Sequence, residues 1–155
     1  MVSERARTLA DSFEQANRDL IHTVERLSDA QWKAKTAGEG WSVGVVAHHV
    51  AGGHTGIAGF VQKIANGEHV SVDMDAINRG NAEHAIQFAH TTKAETLALL
   101  RQNGAAAAAM VRGLGDTQLD RAGGSMGMTA AQVIERVLIG HVRDHHGSIR
   151  QAVAG

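Results

Sequence analysis

The chain contains no cysteine and no proline, and only 3% of its residues are aromatic. The missing thiols exclude a disulfide framework, thiolate metal ligands and a cysteine nucleophile, so any thiol chemistry must use a thiol from outside the protein. Without proline the commonest helix breaker is gone, and the 18 glycines must supply caps and loops. The few aromatics offer no stacking platform, and 15 basic against 16 acidic residues leave a net charge of −1 with no basic stripe. Nucleic acid is therefore not an expected partner. No run approaches the roughly 18 uninterrupted apolar residues of a membrane span. The opening MVSERARTLADSFEQ is charged and amphipathic, without the apolar block and small-residue cleavage site of a secretory signal, so cytoplasmic residence is expected.

What is present is helical periodicity. The 155 residues, 43% of them hydrophobic, suffice for one cored domain over 1–155. A first helix is expected from a Ser3 cap to about Ser28, because Leu9, Phe13, Leu20, Val24 and Leu27 keep to one face, with His22 opposite them on the surface. A DAQW turn and the stretch TAGEG lead to Ser42, which caps a second helix ending near Asn66 and Gly67. Residues 67–90 show no sustained period and hold Asp73, Asp75, Asn78, Asn81, His84 and His90. Such a stretch is either a functional connection or a partly helical crossover whose polar groups cap turns. Capping boxes at Thr92/Glu95 and Thr129/Gln132 open a third helix, to about Gly113, and a fourth. Four amphipathic helices without a credible alternating strand predict an all-α four-helix bundle.

Three of the ten histidines lie on apolar stripes. His141 and His145, four residues apart, stack one turn above the other in the direction bracketed by Ile134, Leu138, Val142 and Ile149. His49 falls with Val45, Val46, Ile57 and Phe60, and Gly52, Gly53 and Gly56 leave space beside its ring. The neighbouring His48 aligns instead with Gly44, Ala51 and Thr55, a less apolar direction, so His49 is taken as the inward residue. Three neutral imidazoles with one open position suit a divalent ion such as zinc, nickel or iron. The competing reading is core histidines bonded to backbone carbonyls. A ferritin-like di-iron site would need paired Glu-x-x-His motifs, which are absent, and no nucleophile elbow supports a serine triad.

The segments GWSVGVVAHHVAGG and HVRDHHGSIR resemble the DinB/YfiT-like family, in which a Trp-Ser pair opens the second helix, a metal-binding His follows eight residues after the Trp, and a His-x-x-x-His lies near the C-terminus. The resemblance extends loosely over the whole chain, including LSDAQW and DAINRGNA. It implies an up-down-down-up bundle, usually a homodimer, with a three-histidine metal site at one end and its ligands at His49, His141 and His145. Relatives include thiol-dependent S-transferases and mycothiol-dependent maleylpyruvate isomerases. This chain keeps His141 where the isomerases carry Glu, and reads His-Gly-Ser-Ile where many members show Arg-Gly-Gln followed by an apolar residue.

The expected function is a metal-dependent enzyme that activates a water or an external low-molecular-weight thiol against a small-molecule electrophile. Thiol transfer is the first expectation and hydrolysis the second. A metal-holding, stress-associated bundle without turnover and an inert dimerisation module are the readings from other classes. His146, His54 and His84 are candidates for supporting the ligands or handling protons, although nothing in the sequence places His84 within reach.

Overall fold

The computed structural model describes residues 2–154, which form helices joined by turns and isolated β-bridges. Local signals set the helix starts. The Ser3 hydroxyl accepts from the Ala6 amide at the head of α1 (Glu4–Glu25). Ser28, expected as the end of that helix, instead forms a capping box with Gln31 and opens the short α2 (Asp29–Lys33). Ser42 caps α3 (Val43–Ala65), and Asp73 caps α4 (Met74–Gln87). Thr92 and Glu95 form the box that opens α5 (Lys93–Arg112). After α6 (Asp116–Leu119), Thr129 and Gln132 start a continuous rod made of α7 (Ala130–Val133), a π-helical stretch (Ile134–Ile139) and α8 (Gly140–Val153). Each cap satisfies a backbone donor that the first helical turn would otherwise leave orphaned.

Side-chain contacts fix the direction of the four long helices. Lys93, at the start of α5, donates to the Leu27 carbonyl beyond the end of α1, while Arg112, at the other end of α5, pairs with Asp11 and Glu14. Thus α1 and α5 are antiparallel. His146 meets Thr23 near the end of α1, and His141 meets His49 near the start of α3. With α1 taken as up, α3 and α5 run down and α8 runs up. Two consecutive descending helices require a crossover, and α4 is that crossover. Residues 67–90 therefore contain a 14-residue helix where the sequence shows no sustained period, although Asp73 does cap its turn.

Phe13, Leu20 and Val24 of α1, Val46 and Val50 of α3, Leu100 of α5, and Leu138 and Ile149 of the last rod form the core. Burying each such side chain is worth about 1.5–3 kcal/mol, which holds the helices together without any disulfide. No residue of α4 is fully buried. Among the described residues no helix is long and apolar enough to cross a membrane.

Candidate metal centre

The upper end of the bundle brings His49 of α3 together with His141 and His145 of α8. One ligand atom from each lies within 4.8 Å of the others. The Nε2 atoms of His49 and His141 are 3.0 Å apart, and His141 and His145 stand edge to face with ring centres 4.5 Å apart. Nitrogens bound tetrahedrally to a metal at about 2.0–2.1 Å are themselves about 3.3 Å apart, so the spacing is on the right scale. Burial, reinforced by the neighbouring imidazoles, pushes His49 down to about 4 and His141 down to about 3. Both rings are neutral at pH 7 and keep a lone pair, the form in which imidazole ligates.

Glu39 was not picked out from the sequence. Its Oε1 accepts from His145 Nδ1 at 2.7 Å, with both side chains largely buried. That bond fixes the tautomer and leaves His145 Nε2 as the free nitrogen, the carboxylate–histidine arrangement that commonly orients metal ligands. Burial pushes the Glu39 carboxyl upward, but hydrogen bonds with Thr36 and His145 outweigh it and hold the group below its usual value. A tight loop presents it: the Thr36 amide donates to the Trp41 carbonyl and Gly40 takes a φ of 72°, which a side chain would strain. Trp41 then places its ring edge-on to His49, with centres 5.4 Å apart. The glycines flanking Glu39 in TAGEG were the available sequence signal, but 106 positions separate Glu39 from His145.

Two expectations need correction. His48, assigned to the less apolar direction with His49 taken as the inward residue, is itself buried: it is 8% exposed, its Nδ1 pairs with His84 Nε2 at 2.7 Å, and its ring stacks on Phe88 at 4.0 Å. The reason is that α3 packs against several elements, with α5 along its length, α8 beside His49 and α4 beside His48, so its buried stripe is wider than one face. The same contact brings His84 to 5.8 Å from the His49 ring, within a shell the sequence could not reach. Gly53 does not leave open space, since a Cβ there would lie 2.5 Å from Cε1 of His141; its missing side chain is what admits that ring. Gly52 and Gly56, in contrast, have nothing within 4 Å of such a Cβ.

The remaining candidates stand apart from the cluster. His54 is fully buried among α1, α3 and α5, with Nε2 on Asn17 Oδ1 at 2.8 Å and its ring edge-on to Phe13. His146 turns to Thr23 at 2.7 Å. A cleft of about 560 Å³ lies behind His48, where Phe88, His90, Glu95 and Leu99 line it, and it does not include the three-histidine cluster.

The profile of the mycothiol maleylpyruvate isomerase N-terminal domain family matches residues 13–146. The fold is similar to that of YfiT from Bacillus subtilis, described as a probable metal-dependent hydrolase with an unusual four-helix bundle topology. The two share 20% identity at a TM-score of 0.73, over 98% of this chain and 88% of that one. No curated protein sequence matches the chain. The chain belongs to the mycothiol maleylpyruvate isomerase N-terminal domain family, within the DinB/YfiT-like bundles.

Proposed function

We propose that this member of the family is a metal-dependent enzyme in which His49, His141 and His145 hold a divalent ion, with zinc, nickel and iron as the candidates. The observation that carries the reading is the convergence of three imidazoles, two of them kept neutral by burial, with a buried carboxylate orienting the third. Such an ion supplies Lewis acidity that lowers the pKa of a coordinated water or thiol and readies it for attack on an electrophile. The chain's own residues provide the rest. Glu39 holds His145 in one tautomer, Trp41 limits the swing of His49, and the absent side chain of Gly53 seats His141. His84, beside His49 and hydrogen-bonded to His48, is the candidate for handling the nucleophile's proton.

The preferred nucleophile is a low-molecular-weight thiol, transferred to a small-molecule electrophile, because the family is named for a mycothiol enzyme; with no cysteine in the chain, that thiol would come from outside. Hydrolysis is the second reading, favoured by the description of YfiT. A homodimer is taken as the working form. The test is elemental analysis of protein purified without a histidine tag, followed by turnover of a generic electrophile with and without added thiol. One ion per chain, removed by EDTA with a drop in Tm, and thiol-dependent turnover are expected. Stoichiometric metal with turnover in water alone would select hydrolysis, and absence of bound metal after incubation with zinc, nickel or iron would overturn the proposal.

A further inference from the structure

Three elements meet at the cleft behind His48, and each gives it a different surface. Glu95, Ala98 and Leu99 of α5 are spaced i, i+3 and i+4, so a carboxylate and two apolar groups share one face. The end of α4 contributes Phe88, and α3 contributes His48. The volume of about 560 Å³ falls within the range of about 300–1,000 Å³ usual for small-molecule sites.

His48 aims an unanswered polar atom into this space. The residue is 8% exposed, its Nδ1 is on His84 Nε2, and one face of its ring is on Phe88. Its Nε2 has no hydrogen-bond partner among the described residues, and the surface the ring has left lines the cleft. His84 decides what that nitrogen carries. His84 Nδ1 is buried and also without a partner. A buried N–H with no acceptor is rarer in proteins than an acceptor with no donor, so His84 Nδ1 is the bare nitrogen and His84 Nε2 bears the proton. That proton is donated to His48 Nδ1, which leaves the proton of His48 on Nε2. A ring more than nine-tenths buried therefore presents a free N–H to the cleft.

The second group is the Glu95 carboxylate. It receives the Thr92 amide at 3.4 Å as half of the capping box. No cation meets it. Lys93 and Arg101, basic residues on the same helix, are turned to the Leu27 carbonyl and to Glu25.

From this we infer that the cleft binds an organic cation, an amine on an aryl or branched alkyl body with a hydroxyl or carbonyl oxygen nearby. The ammonium pairs with Glu95, the oxygen accepts from His48 Nε2, and the body lies against Phe88, Ala98 and Leu99. An anion would meet the carboxylate, and a plain hydrocarbon would take water from both polar groups and return no partner. The three histidines of the metal centre do not line the cleft, so the inference stands apart from the metal reading.

Three probes separate the contributions. 2-Amino-1-phenylethanol carries all three features, phenethylamine lacks the oxygen, and 1-phenylethanol lacks the ammonium. Each is titrated into the protein at neutral pH while the Ala98 and Leu99 methyl NMR signals are followed. The amino alcohol should bind tightest, with about a fivefold loss of affinity on removing either the ammonium or the hydroxyl. Glu95→Gln keeps the capping box, where Gln serves as Glu does, so the start of α5 persists; it should erase the preference for the ammonium. His48→Phe keeps an aromatic ring against Phe88 and should erase the preference for the hydroxyl. His141→Ala should bind all three probes as the wild type does. Methyl signals that stay unshifted up to the solubility limit of the amino alcohol overturn the inference, as does an ammonium preference that survives in Glu95→Gln or a hydroxyl preference that survives in His48→Phe. Loss of binding in His141→Ala would move the ligand to the metal centre and overturn it as well.

Discussion

Two buried histidine environments, about one and a half helical turns apart along α3, show what separates a structural imidazole from a candidate ligand. His54 has one ring nitrogen on Asn17 Oδ1, and Asn17 in turn donates to the Leu100 carbonyl; Gly104 leaves room for that amide. The other environment puts His49 Nε2 against His141 Nε2, with His145 beside them and its second nitrogen held by Glu39. Both environments lower the imidazole pKa by burial, to about 4 for His54 and for His49. Burial therefore does not distinguish them. What does is the partner: an amide engages one nitrogen of His54, whereas His145 commits its N–H to Glu39, so that the three neutral imidazoles facing one another are left with three lone pairs and two protons.

The largest expected effect breaks the comparison at the ligands. His141→Ala, His145→Ala or His49→Ala should each abolish stoichiometric metal, while His54→Ala should keep it and instead lose about 2–4 kcal/mol of stability through a cavity and an unsatisfied Asn17. Elemental analysis with denaturant unfolding checks both halves. Equal metal content in the His54 and His141 variants would mean that the two environments do not differ in function.

Next come the positions that support each histidine. Glu39→Gln keeps the shape but weakens the hold on His145, and loss of such an outer partner typically costs 10–100-fold in metal affinity. Gly53→Ala pushes a methyl into His141 and should also weaken the metal, without the unfolding expected of a core defect. Its counterpart is Gly104→Ala, whose Cβ would collide with the Asn17 amide; it should lower stability by about 1–3 kcal/mol and spare the metal. Competition with a chromophoric chelator separates the two classes. Wild-type affinity in Glu39→Gln would remove the carboxylate from the site.

Titration gives a smaller, graded effect. In the unfolded chain these imidazoles titrate near 6.5, and in the folded, metal-free protein His49 and His54 titrate at about 4 and His141 at about 3. Between those values the unfolded state binds more protons, so stability is full above pH 6.5 and falls as the pH drops through about 4, levelling off near 3. Bound metal should leave over the same window, because its ligands must be neutral. Replacing His54 should flatten the stability curve without moving the metal-release curve. If the release curve moved with it, the two environments would be coupled.

The sequence carried the bundle because its helices begin at short local signals: Ser3, Ser42, Thr92 and Thr129 each cap a helix as their spacing predicts. The three-histidine cluster was legible because a ligand pair four residues apart and an apolar stripe are both periodic features. The crossover helix was obscured because its inward arc mixes Met74 and Ile77 with Asn81 and His84, polar residues that break an apolar pattern while still sharing a face. Glu39 was hidden for a different reason, since a loop carboxylate has no period and reaches its histidine only through the tertiary fold. Nothing in IERVLI announced a π-helical stretch directly below His141.

The finest distinction lies between adjacent residues. His48 and His49 differ by about 100° around α3, which is enough to send one ring to α4 and the other to α8. The metal reading needs only His49. His48→Ala removes the hydrogen bond to His84 and the stack on Phe88, contacts through which the upper half of α4 is seated, but no ligand atom. The expected outcome is full metal occupancy, a stability loss of about 1–2 kcal/mol, and faster amide exchange confined to α4. His48→Phe should restore the stack and part of the protection without restoring the hydrogen bond, which separates packing from polarity. If His48→Ala emptied the metal site while His49→Ala retained it, the ligand would be the ring facing α4, and the distinction between the two faces of α3 would be reversed.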